Sequence, residues 1–301
     1  MTVRYITDGG METTLIFHEG IDLPHFASFV LLDSEDGRRA LRDYFLPYID
    51  LAREQGVGIV LDTPTWRANP DWGAKLGYSA DDLGRIDRDG VDFLAELRDE
   101  AGGSPELVIC GCIGPRGDGY RIDDVMTADE AEEYHSAQVR ALADTDADLV
   151  SALTMTSVDE AIGIVRAAAD VGVRVVVSFT VETDGRLPSG QSLREAVEHA
   201  DEETDGYPSY FMVNCAHPSH FVDVLEPPAA WLRRIHGIRA NASRMSHAEL
   251  DAAEELDEGD PDELADGYRE LRERLPNLDV TGGCCGTDHR HVRAISAMLA
   301  R

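Results

Sequence analysis

Lysine is almost missing from this chain. Lys75 is the only one in 301 residues, and 27 basic side chains face 58 acidic ones, a net charge of −31. A surface so negative repels a phosphate backbone, which excludes nucleic acid as a partner. It also repels itself in dilute buffer, while added salt screens that repulsion. The acid surface therefore reads as an adaptation to a salty cytosol. The thermal unfolding midpoint is expected to climb as potassium chloride is raised from dilute buffer towards molar concentration, and full stability in salt-free buffer would contradict this.

Long apolar runs are absent as well. No stretch approaches the roughly 18 residues that span a bilayer. The opening "MTVRYITDGG" lacks the basic-then-apolar plan of a signal peptide. The expectation is a soluble, cytoplasmic chain with no membrane partner. No Pro/Gly/Ser-rich linker divides it, so a single domain over 1–301 is expected.

Cysteine is scarce, and its count is odd. Cys110, Cys112, Cys215, Cys284 and Cys285 make a poor disulfide framework but a fair supply of reduced thiols for a metal. Two of them are adjacent, in "TGGCCGTDHRH" at 281–291. Neighbouring cysteines rarely bridge each other, because a disulfide wants a wider separation. A metal clamp, a redox dithiol and plain packing remain open at this point.

What is present is alternation. Strands are expected at 3–7, 57–63, 106–114, 147–154, 173–180, 209–216, 233–242 and 277–283. Helices are expected at 38–56, 91–103, 127–145, 157–172, 192–202, 219–226, 260–275 and 287–299. The strands are β-branched and apolar throughout, as suits a sheet covered on both faces. Eight strands alternating with eight helices point to an α/β fold, a (β/α)8 TIM barrel, with a doubly wound open sheet as the competing architecture.

In a barrel the C-terminal ends of the strands share one face, and that face carries the chemistry. Cys215 ends the sixth strand, and Cys284 and Cys285 follow the eighth, with Gly282 and Gly283 permitting a turn that aims both inward. Three thiolates at one point need a cation. Zn2+ takes sulfur ligands tetrahedrally, and three protein ligands leave a position for a reactant. His217, His289 or His291 in the fourth position would instead close a structural site, in a protein that binds small thiols or amino acids. Cys110 and Cys112 share a strand face, where packing is favoured over a second metal pair. The nine acids between Glu249 and Glu263 read as a solvated loop and helix start.

Taken together, "DGGMETTL" after the first strand, "VNCAHP" after the sixth and "GGCCGT" after the eighth resemble the homocysteine S-methyltransferase family. So does "SFTVETDGRLPSGQSL" after the fifth, and the resemblance spans nearly the whole chain. It implies a zinc-dependent barrel enzyme that moves a methyl group from a small sulfonium or ammonium donor to a thiol, usually homocysteine. Carried over by position, it implies Cys215, Cys284 and Cys285 as zinc ligands, Asp8 beside the amino-acid part of the acceptor, and Asn214 shaping the site. Two positions depart from the family pattern. Glu12 stands where a glycine is usual, and Leu153 where a glutamate would hold the acceptor's ammonium. Glu12 and Glu182 are the candidates to replace it, or the acceptor is a different thiol.

Overall fold

A computed structural model describes residues 5–122 and 125–299. Eight strands close on themselves in chain order as an all-parallel barrel. They are β1 (Tyr5–Ile6), β2 (Gly58–Asp62), β3 (Leu107–Ile113), β4 (Leu149–Met155), β5 (Val175–Phe179), β6 (Phe211–Asn214), β7 (Ile235–Ala240) and β8 (Val280–Gly283). The competing open sheet is thereby excluded. Two residues of the strand expected at 3–7 lie outside the described residues.

Side chains alternate across each strand, and this divides the core into two. Ile59, Leu61, Ile109, Val175, Val177, Phe211 and Val213 point outward and pack under the helices. Val60, Cys110, Leu149, Val176 and Met212 point inward and form an apolar floor inside the barrel. Two residues further along these same inward faces come Asp62, Cys112, Ser151, Ser178 and Asn214. The switch from apolar to polar occurs within one strand pitch. The inner layer at the C-terminal end is thus built for something other than packing.

Helix ends obey local chemistry. Ser79, Thr127, Ser192 and Ser246 each make a reciprocal capping box with an acid three residues on. The helix expected at 91–103 runs instead over 22 residues, Ala80–Ala101, because the Ser79–Asp82 box starts it early. Gly84 and Gly90 hide its first turns from a propensity reading. A Cβ at Gly90 would press on Thr63 and Thr65 at 3.3 Å, so this glycine lets the helix lie close against the end of β2.

Short helices at Met11–Thr13, Pro70–Leu76 and His247–Asp251 were not expected. Pro70–Leu76 is opened by Asn69, whose side chain accepts from the Trp72 N–H, and is closed by Gly77 in a left-handed conformation. It presents Trp72 to the barrel mouth. The helix expected at 219–226 is only Pro218–Phe221, followed by a 3-10 turn over Val222–Val224. Among the described residues, no helix is long and apolar enough to cross a membrane.

Candidate active site

The sulfurs of Cys215, Cys284 and Cys285 meet at the C-terminal end of the barrel, all within 4.8 Å of one another. Cys215 Sγ lies 2.7 Å from Cys284 Sγ and 3.7 Å from Cys285 Sγ. Two thiolates on one tetrahedral zinc ion, each 2.3 Å away, stand about 3.8 Å apart. The Cys215–Cys285 pair has that spacing, and Cys215 and Cys284 would part by about 1 Å to share the ion. The shorter of the two contacts made by Cys215 runs to Cys284 and joins β6 to β8.

Backbone strain holds this cluster. Cys215 has φ +54°, a left-handed conformation that a non-glycine residue adopts only when its surroundings enforce it. Its carbonyl accepts from Asn241 Nδ2 at 3.0 Å and His247 Nε2 at 2.9 Å, which fixes the turn. Gly282 and Gly283 have a role different from the one expected. Neither is left-handed; what they supply is space, since a Cβ would fall 1.8 Å from Thr7 Oγ1 at Gly282 and 1.9 Å from Thr287 Oγ1 at Gly283. The left-handed glycine is Gly286, just beyond the cysteines.

The fourth group near the sulfurs is not a histidine. His217 caps the next helix and accepts from the Ser219 N–H, and burial pushes it down to about 4. His291 is engaged by Asp288 and the Glu258 carbonyl. Among the described residues, neither of these nor His289 joins the sulfur group. Tyr120 does approach, its hydroxyl 3.5 Å from Cys285 Sγ and 3.8 Å from Cys215 Sγ. The His247 ring stacks on Tyr120 at 4.1 Å between centroids, and its Nδ1 lies 3.2 Å from Glu182 Oε1. Glu182 is thereby committed to His247.

Electrostatics divide the three thiols. Cys284 is driven well below the ordinary thiol range because it receives the hydrogen bonds of Cys215 and Cys285, with Arg239 adding positive charge. Cys215, the donor of such bonds, is driven up.

Beneath the sulfurs lies a buried ion-pair layer. Arg239 donates through Nη2 to Asp8 Oδ1, through Nη1 to Asp62 Oδ2 and, at 3.2 Å, through Nε to the Gly283 carbonyl. Tyr44 donates to Asp8 Oδ2 at 3.0 Å, and Ser151 to Asp62 Oδ1 at 3.0 Å. Burial pushes Asp8 up to about 7, with Arg239 pulling against it. Asp8 lines the cavity, but both of its oxygens are already engaged.

Asn214 has a more specific position than expected. Its Oδ1 accepts from the Thr154 N–H at 3.1 Å and from Ser178 Oγ at 2.6 Å, and its Nδ2 donates to Thr154 Oγ1 at 2.7 Å. Thr154 sits at φ +65°, where the β4–β5 register shifts. Asn214 therefore pins a strained β-branched residue, and through it places Leu153 in the cavity wall.

That cavity, about 450 Å³, opens above the sulfurs and is of small-molecule size. Trp66, Trp72, Phe17, Tyr120 and Leu153 make it largely apolar, and Glu12 enters from the loop after β1, accepting from Ser28 Oγ at 2.7 Å. The acidic run is more than a solvated loop, because Leu250 and Leu256 from it complete one wall. Cys112 touches the cavity while Cys110 lies in the apolar floor; burial pushes both thiols well above their ordinary range.

Arg239, Tyr120, His247 and Trp72 were not singled out from the sequence. A signal existed for Arg239, since a charge inside the apolar strand "RRIHGIRANA" at a barrel strand end marks a site. None existed for the others, which sit on loops or short helices without periodicity.

A sequence profile described as homocysteine S-methyltransferase matches residues 5–299. No sequence among curated proteins matches. Among solved structures, the homocysteine methyltransferase MmuM from Escherichia coli is similar in its oxidised form. It has 20% identity and a TM-score of 0.76, with 98% of this chain and 95% of that chain covered. Its metallated form gives the same identity and score, with 98% and 96% covered. At this identity the likeness speaks for the fold.

Proposed function

The chain belongs to the homocysteine S-methyltransferase family, and from that premise we propose a zinc-dependent transfer of a methyl group from a sulfonium or quaternary ammonium donor to homocysteine, giving methionine. The observation that carries this reading is the meeting of Cys215, Cys284 and Cys285, about seventy residues apart in sequence, at the bottom of a cavity of small-molecule size. These three residues would hold the ion; that a relative of the same fold has a metallated form supports it. Zinc, when bound, supplies the positive charge that keeps an incoming thiol, ordinarily of pKa about 8.5, in its thiolate form.

The chain's own residues do the rest. Tyr120 and Leu153 bound the space above the sulfurs, and the aromatic walls exclude water from the reacting atoms. Asn214 and Thr154 fix the Leu153 side of that space. Asp8, held by Arg239 and Tyr44, brings its carboxyl to the cavity floor beside the acceptor. The acceptor sulfur attacks the methyl carbon in line as a thiolate, its proton having passed to solvent on binding. As the new S–C bond forms, the donor's C–S or C–N bond breaks, and its electron pair leaves with a group that departs neutral. No proton donor is needed, so the site's contribution is positioning, worth roughly 7–11 kcal/mol of the barrier.

The reading is tested by offering homocysteine and other small thiols, each with sulfonium and ammonium donors, to the zinc-loaded protein in high salt. Methionine is expected from homocysteine with at least one donor, abolished by a chelator and restored by zinc. A chelator-treated, metal-free protein that still methylates the thiol, or the absence of methylated product from every pair, would overturn it.

A further inference from the structure

Arg67 is a charged residue of the cavity that methyl transfer leaves without a task. Its guanidinium packs on two indoles, with Cζ 4.8 Å from the Trp66 ring centroid and 3.8 Å from that of Trp72. The residue is only 8% exposed, yet it lines the same cavity as the three sulfurs. Nη2 reaches Asp118 Oδ2 only at 3.4 Å, well beyond the length of a strong charge-assisted bond. Among the described residues, Nε and Nη1 have no hydrogen-bond partner.

Buried donors without partners are rare, because each carries its full desolvation cost. A guanidinium has five N–H groups, and most of these go unused here. Such a group is kept charged and underused where a ligand completes it. Leu153, at the position where the family resemblance places an ammonium-binding glutamate, lines the same cavity without charge. Arg67 therefore adds an underused cation to a lining that still holds the carboxylate of Glu12.

We propose that Arg67 is the carboxylate anchor of the substrate cavity, selecting a reactant that bears a carboxylate and whose other end reaches the sulfur cluster. This rests on the methyl-transfer reading and names the chemistry of what that site accepts. The contacts with Trp66 and Trp72 restrain the guanidinium, whose planar fork suits the geometry of a carboxylate. A phosphoryl dianion fits less well, since Glu12 enters the same cavity and Asp118 already takes part of the charge of Arg67. The carboxylate can belong to the thiol acceptor or to the methyl donor.

The test reads binding and needs no turnover. Zinc-loaded protein is titrated with one compound at a time, following tryptophan emission, to which Trp66 and Trp72 contribute two of three indoles. The acceptor arm compares homocysteine with 3-aminopropanethiol, which lacks the carboxylate. The donor arm compares glycine betaine with choline. In one arm the carboxylate-bearing compound is expected to bind roughly tenfold tighter or more, as a charged hydrogen bond implies; that arm identifies the source. Arg67→Met, which keeps the apolar stem against the rings, should abolish the preference with its thermal midpoint unchanged, and Arg67→Lys should retain part of it. Equal binding within about twofold in both arms, or an undiminished preference in Arg67→Met, overturns the proposal. Because each compound is added alone, a failure of methyl transfer would leave this readout standing.

Discussion

Replacing Cys284 by alanine is expected to empty the site of metal and remove methyl transfer while leaving the barrel folded. The backbone of Cys284 is held independently of its sulfur, by its N–H to the Ala240 carbonyl at 2.8 Å and by Thr287 donating to its own carbonyl at 2.7 Å. The turn therefore survives the substitution. What disappears is the sulfur on which the other two thiols converge. Losing a residue that merely supports a ligand costs about 10–100-fold in affinity or activity, so losing a ligand should cost more than about 100-fold in transfer. Zinc analysis of the purified variant should give far less than the one ion per chain expected of the parent. Cys110→Ala is the control. Cys110 lies in the apolar floor among Val60, Leu149, Val176 and Met212, and its loss should leave the metal content unchanged. A metal-free Cys284→Ala protein with parental transfer would refute the role of the trio.

The second large effect is on stability. Arg239→Met would leave Asp8 and Asp62 buried and facing each other without their shared cation. Although burial disfavours its charge, Arg239 is held well above the ordinary range by these two carboxylates. Breaking a buried ion pair from one side costs about 3–5 kcal/mol. Denaturant unfolding should show a loss of that order, and Asp62→Asn in the same background should recover part of it by removing one orphaned charge. A change below about 1 kcal/mol would mean that the two acids become protonated or hydrated at little cost.

Much of this arrangement was legible beforehand, for definite reasons. Parallel strands covered on both faces leave continuous apolar runs, and the intervening helices have strong caps, so the barrel followed from alternation alone. Cys215, Cys284 and Cys285 were legible because strand ends in a barrel share one face. The structure then corrected the reason for Gly282 and Gly283, from backbone freedom to close approach. Spacing could not reveal that Asn214 pins Thr154, since that bond crosses sixty residues between strands that are not neighbours. Nor could it place Tyr120, His247 and Trp72, which reach the cavity from loops and short helices whose direction is set by packing.

X-ray absorption at the zinc edge, before and after adding homocysteine to the zinc-loaded protein, tests the central claim most directly. The account predicts three protein sulfurs and one lighter ligand in the resting protein, with the lighter ligand replaced by a further sulfur when the thiol is added. An imidazole in the first coordination sphere, or a coordination set indifferent to the thiol, would contradict it.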